Sequence, residues 1–188
     1  LRLIRRGAVV SGIDISNSYI KSAQAAARDA GFNEAQFRFA VMDAHNLEFP
    51  DDTFDIVVGR GILHHLDLDV SLKELNRVLK PGGRALFREP LAANPLLKLF
   101  RKLTPKARTV DEKPLTREDL DRLSIDWNNE SLYYGLVSAP VAMLTSLVLR
   151  PFDNNFLLRF ADWIERKVNG ARWIQHHNQY VLLSLVKR

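Results

Sequence analysis

The chain has 188 residues, no cysteine and a formal net charge of +5. That length suits one domain with a buried core, and 46% apolar with 26% charged residues is the balance of a globular protein rather than a disordered one. The lack of cysteine excludes disulfide and thiolate chemistry; the basic excess is scattered, with one concentration between Lys98 and Arg108, and lacks the aromatic–basic platform that single-stranded nucleic acid needs.

Leu1–Arg6 (LRLIRR) reads as the end of a helix, with Gly7 as its stop. Ala8–Ile13 is a strand that ends at Asp14. Ser16-Asn17 then cap an alanine-rich helix running to about Ala30, and Gly31 closes it. A carboxylate in the position of Asp14 can accept from both hydroxyls of a ribose, as acidic residues do in dinucleotide-binding folds. It can equally cap the helix, and the residues alone leave both readings open. Gln36–Val41 alternates polar and apolar and predicts a strand. Met42-Asp43-Ala44 and the polar loop His45–Asp52 follow; by itself Asp43 reads as a turn residue.

The chain is organised around Asp51–Pro90. Phe54–Gly59 (FDIVVG) reads as a strand buried on both faces. Leu68, Leu72, Leu75 and Leu79 recur at helical spacing, with Lys73, Glu74, Asn76 and Arg77 facing water. Lys80 suits the end of that helix, Pro81 stops it and Gly82-Gly83 turn the chain into a strand at Arg84–Arg88. This is a strand–helix–strand unit of a parallel sheet. Function in such sheets collects at the carboxyl ends of the strands, here Arg60-Gly61-Ile62-Leu63-His64-His65 and Arg88-Glu89-Pro90.

Beyond Pro90, Leu96, Leu99, Phe100 and Leu103 share one side of a predicted helix among Lys98, Arg101, Lys102 and Lys106. Such a helix forms a wall of a substrate pocket or lies on an anionic membrane surface, and the first reading is preferred. Thr116 with Asp119 makes a capping box. Leu132–Leu149 carries no charge over 18 residues, but Gly135, Pro140 and several hydroxyl residues favour a buried helix or helical hairpin over a spanning one. Asn154–Val168 predicts an amphipathic helix that Asn169-Gly170 ends, and Gln179–Val186 predicts a final apolar strand.

FPDDTFDIVVGRGILHHL followed by LKELNRVLKPGG resembles the class I S-adenosylmethionine-dependent methyltransferases, in the branch of small bacterial enzymes. The resemblance covers Gly7 to about Leu120 and thins from Ser131 onward. It implies a Rossmann-like α/β fold: a mostly parallel sheet with helices on both faces and an antiparallel last strand. The whole of 1–188 is then one domain, with a cofactor-binding core (1–90), a helical substrate-side region (91–175) and the last strand (176–188). The family begins with a central strand and a glycine-rich loop that this sequence lacks. The chain is therefore expected to be a truncated form of a longer protein, with Ala8–Ile13 and Phe54–Gly59 meeting directly or leaving exposed edges.

The resemblance implies S-adenosyl-L-methionine as cofactor, with Asp14 on the ribose, Ile15 against the adenine and Asp43 and Ala44 at the adenine amine. Arg60 and Gly61 would face the sulfonium. His64 and His65 are candidate catalytic residues where the acceptor enters, since histidine takes a proton near neutral pH; one of them could equally orient the loop. Glu89 is a candidate acceptor-side residue. Neither a catalytic triad nor a metal is implied. The expected activity is methyl transfer to a small, hydrophobic or lipid-linked acceptor in the cytoplasm, with peripheral membrane contact as a further candidate. Two rivals stand beside it. A nicotinamide-dependent dehydrogenase fits Asp14 but not the HHL loop or LKPGG, and GxGxxG is absent. A non-catalytic binding or membrane-surface module fits the missing glycine loop and the basic helix.

Overall fold

Two sheets organise the chain. The structure, a computed structural model, describes residues 1–94, 113–146, 155–168 and 171–188. After a single 3₁₀ turn at Ile4–Arg6, strand β1 (Val10–Asp14), helix α1 (Asn17–Asp29) and strand β2 (Phe37–Val41) form a parallel two-stranded sheet. Strand β3 (Phe54–Arg60), helix α2 (Leu68–Val78) and strand β4 (Leu79–Pro90) make the second parallel pair. Strands β5 (Trp127–Tyr134) and β6 (Tyr180–Lys187) extend it antiparallel, in the order β3-β4-β6-β5. Helices α3 (Arg117–Asp126), α4 (Ser138–Ser146), α5 (Phe156–Val168) and α6 (Arg172–Gln175) complete the described residues. β1 and β3 are not paired: each forms an edge of its own sheet, one of the two outcomes expected where the family has another strand.

Alternation along the strands decides which side is core. On one face of the larger sheet Ala85 and Phe87 of β4 pack with Val181, Leu183 and Leu185 of β6, and α2 and α3 cover them through Leu75, Leu120 and Leu123. Truncating a fully buried leucine such as Leu183 to alanine costs roughly 2–5 kcal/mol at sites of this kind. The opposite face corrects the reading of β3 as buried on both sides. Ile56 and Val58 are 58% and 61% exposed, whereas Val57 packs against the core that α2 and α3 cover. A smaller core of Ile4, Ala27 and Phe37 joins α1 to β2.

Two further boundaries differ from expectation. α2 ends at Val78, and the strand already begins at Leu79, running through Lys80-Pro81-Gly82-Gly83 with a register shift opposite Phe54–Ile56. Gly83 is what permits the close passage: a Cβ there would stand 2.7 Å from the Lys80 carbonyl oxygen. The uncharged run from Leu132 is split between β5 and α4, with Gly135 at φ 87° as the joint. Apolar content could not separate helix from strand there, and pairing of Trp127–Tyr134 with β6 settled it. The basic stretch after Pro95 and Asn169-Gly170 lie outside the described residues.

Glu74 and Arg77 of α2, expected to face water, instead hold the β2–β3 loop. Arg77 donates to the carbonyls of Phe49 (2.7 Å) and Leu47 (2.7 Å) and to Glu74 and Asp51, while Glu74 accepts the Leu47 N–H at 2.8 Å. The Arg77 guanidinium, ahead of the Leu47 N–H, lowers the Glu74 carboxyl from 4.5 to about 2. A depressed carboxyl stabilises the fold above its ordinary value and loses that contribution as pH falls toward the folded value. We predict that Glu74→Gln lowers stability at pH 7 by on the order of 2 kcal/mol after discounting for partial exposure, and flattens the loss of stability between about pH 5 and 2. Melts followed by circular dichroism across that range check it; an unchanged acid limb would remove the network from the stability of the loop.

Candidate active site

The site is built where β3 leaves the sheet. Its last paired residue is Arg60, and the Gly61 N–H still donates to the Arg88 carbonyl at 2.8 Å. Gly61 then takes φ 61°, a left-handed conformation that glycine adopts without strain and that turns the chain into the 3₁₀ turn at Leu63–His65.

Glu89 holds that turn. It lies next to the end of β4, on the core face, and is 0% exposed. One carboxylate oxygen accepts the N–H groups of Ile62 (3.0 Å) and Leu63 (3.2 Å); the other accepts the His64 N–H (3.4 Å) and ring Nδ1–H (2.8 Å). A buried carboxylate is tolerable only when its lone pairs are met by such donors. The bond to Nδ1 fixes the tautomer and ring plane of His64, which is itself only 8% exposed. Leu63 drops into the core, and the Lys113 N–H donates to the His64 carbonyl at 2.8 Å. The turn is thus tied down from three sides. His65, its ring 4.0 Å from that of His64, is left exposed.

A second group of residues sits at the carboxyl ends of β1 and β2. Asp14 Oδ1 accepts the Ser16 N–H at 2.8 Å, so it does shape the start of α1, while Oδ2 takes no hydrogen bond among the described residues. Ile15 projects an exposed side chain beside it, and Ala44 is half-buried. Asp43 accepts the backbone N–H (2.9 Å) and ring Nδ1 (2.7 Å) of His45, and these bonds, the backbone one first, hold its carboxyl below the usual range. His45 Nε2 in turn accepts the Asp67 N–H at 2.9 Å, and the Asp67 side chain caps α2. One histidine therefore ties the β2 end to the segment that leaves the His64 turn.

Of the residues singled out from the sequence, Gly61, His64 and Glu89 are brought into contact, with His65 beside them. Arg60 stands apart: it pairs in register with Arg88 on the other face of the sheet, with its side chain exposed. Sequence reasoning did not anticipate the Lys113–Leu115 strap, in which Leu115 bridges Leu91, or the cluster in which Arg88 donates to Tyr134 (2.5 Å) and lies 4.3 Å from the Tyr180 ring centroid. The only signal for that cluster was the pair of tyrosines after Leu132.

Comparison with known proteins bears on this arrangement directly. Residues 1–87 match the family described as Methyltransferase domain. The chain is 43% identical over 77 residues to the ubiquinone/menaquinone biosynthesis C-methyltransferase UbiE of Teredinibacter turnerae, covering 40% of this chain and 30% of the relative. It is 36% identical over 91 residues to UbiE of Shewanella sp. strain ANA-3, covering 48% and 35%. The chain thus spans about a third of the length of these relatives. Its fold is similar to that of geranyl diphosphate C-methyltransferase from Streptomyces coelicolor A3(2), with a TM-score of 0.67 at 15% identity over all of this chain and 66% of that one. It is also similar to YcgJ from Bacillus subtilis, with a TM-score of 0.59 at 20% identity over 95% and 82%. These likenesses confirm the Rossmann-like α/β fold.

The geometry makes a prediction independent of activity. Glu89→Ala leaves the Ile62, Leu63 and His64 donors without their acceptor, and should cost roughly 3–5 kcal/mol in urea unfolding. Amide exchange at Ile62–His64 should accelerate more than at β6; equal protection in the variant would show that the core, not the carboxylate, holds the turn.

Proposed function

We propose that this chain takes part in methyl transfer from S-adenosyl-L-methionine to a small, hydrophobic or lipid-linked acceptor. The observation that carries this reading is the alignment of acceptor groups and open backbone along the carboxyl ends of three strands, Asp14, Asp43 and Gly61, in a chain whose residues 1–87 match a methyltransferase domain.

The residues present fit the adenosine part of the cofactor. Asp14 keeps one carboxylate oxygen without a hydrogen bond among the described residues, open to ribose hydroxyls. Asp43, kept ionised by its bonds to His45, is an acceptor for an exocyclic amine. Ile15 offers an exposed apolar side chain for a base, with half-buried Ala44 beside Asp43. When bound, the cofactor supplies a methyl group on a sulfonium whose departure leaves a neutral thioether, so little activation is asked of the protein. Arg60 and Gly61 present backbone at the sulfonium end. Glu89 and His64 act as positioning residues by holding the turn, so Glu89 reaches the acceptor only through that turn. His65, exposed beside them, is placed to take a proton from the acceptor. The work of the chain is to hold donor and acceptor in line and keep water out.

The names of the relatives support the acceptor class: UbiE is named for ubiquinone and menaquinone, and the Streptomyces coelicolor structure holds geranyl diphosphate. A non-catalytic binding module is the second reading, favoured by the separation of β1 from β3, which leaves the strand ends in two groups.

Calorimetric titration of S-adenosylhomocysteine into the full-length protein distinguishes them. We expect micromolar binding, weakened at least about tenfold by Asp14→Ala. His65→Ala should leave that affinity unchanged and lower kcat by roughly a hundredfold, the usual size of a proton-transfer contribution. A well-folded protein that shows no heat of binding would sink the enzyme reading in favour of the module.

A further inference from the structure

Helix α5 is turned with its aromatic side outward. Its inward face is fixed by Ala161 and by the buried Glu165, whose carboxylate accepts the N–H groups of Gly135 (2.5 Å), Val137 (3.2 Å) and Ser138 (3.0 Å) and the Ser138 hydroxyl (2.7 Å). Those bonds cap the start of α4 and set the rotation of α5 about its axis. Phe156, Phe160 and Trp163, at steps of four and three, therefore face away from the domain. They are 78%, 50% and 56% exposed, and their rings stack in a ladder with centroids 6.3 and 5.9 Å apart.

The charges beside the ladder are one-sided. Arg159, Arg166 and Lys167 are exposed along it. Of the acidic residues of the helix, Glu165 is buried and Asp162 is paired with Arg166 at 2.8 Å; Arg159 and Lys167 have no acidic partner among the described residues. An outward ridge of Phe and Trp flanked by cations, two of them without an acidic partner among the described residues, matches the chemistry of an interface between apolar chains and anionic headgroups. Thirteen residues of helix make about 20 Å, too short to cross a bilayer, and no described helix is long and apolar enough to do so.

We propose that the outer face of α5 docks in plane on a bilayer surface that contains anionic lipid. The aromatic ladder enters the headgroup boundary, and Arg159 and Lys167 select for negative charge. α4 follows directly on the carboxyl end of β5, so docking through α5 brings that rim of the larger sheet toward the lipid. The inference stands whether or not the chain transfers methyl groups.

The test is cosedimentation of the purified protein, without cofactor, with vesicles of phosphatidylcholine and of phosphatidylcholine plus phosphatidylglycerol. We expect binding to the anionic vesicles that weakens at raised salt. Phe160→Ser/Trp163→Ser should reduce it at least about tenfold. Arg159→Glu/Lys167→Glu, which keeps the ladder, should abolish the preference for anionic lipid, since each basic residue at such a surface is worth about fivefold in partitioning. All four positions are exposed, and unchanged melting curves will show that both variants fold. Three results would each overturn the proposal: no sedimentation with either vesicle, binding undiminished in both variants, or a dimer in sedimentation equilibrium that Phe160→Ser/Trp163→Ser dissociates.

Discussion

A single buried carboxylate organises the turn that closes the carboxyl end of β3. Glu89 sits without solvent contact between the sheet and the turn after β3, and each of its oxygens accepts two hydrogen bonds. Those bonds decide several things together. They make the buried charge tolerable, they give three consecutive backbone N–H groups a partner, and they fix the ring of His64. Strand alternation puts Glu89 on the core face of β4 and Arg88 on the other, so two adjacent charged residues have opposite fates. Glu89 becomes an internal fastener, and Arg88 a cation held between Tyr134 and Tyr180.

The two sheets are bridged by polar contacts rather than by a shared strand. The loop after β2 reaches α2 through the His45–Asp67 bond and through the Glu74–Arg77 pair, which grips the loop by its own backbone carbonyls. The strand ends carrying Asp14 and Asp43 are thereby tied to the elements carrying Gly61, His64 and His65. Bonds of this kind are directional, so they set position as well as proximity.

Buried carboxylates recur as fasteners. Glu165 does for α4 and α5 what Glu89 does for the turn after β3: it collects backbone N–H groups, and in doing so fixes which side of a helix faces out. The outcome is opposite in kind. At Glu89 the result is a closed, ordered turn; at Glu165 it is an exposed aromatic ridge.

Much of the fold could be read from the chain alone, because its signals are local. The capping box of Thr116 and Asp119, the Ser16 cap, the leucine stripe of α2 and the apolar run of β6 act through neighbours a few residues apart; α1, α2 and β6 formed within a residue or two of their expected bounds, and α3 starts at its expected cap. The candidate residues at the strand ends were legible as a group for the same reason. Burial and pairing are not local. An apolar run such as Phe54–Gly59 does not say how many of its faces are covered, and Ile56 and Val58 proved exposed. Trp127–Tyr134 carries no strand signal that its antiparallel partner does not supply. Glu89 and the His64 turn are separated by 25 residues or more, as are Glu165 and the start of α4, and only the tertiary structure could bring these carboxylates to their donors. Sequence determined which groups were available at each strand end; the three-dimensional packing decided which of them face solvent and which hold the structure closed.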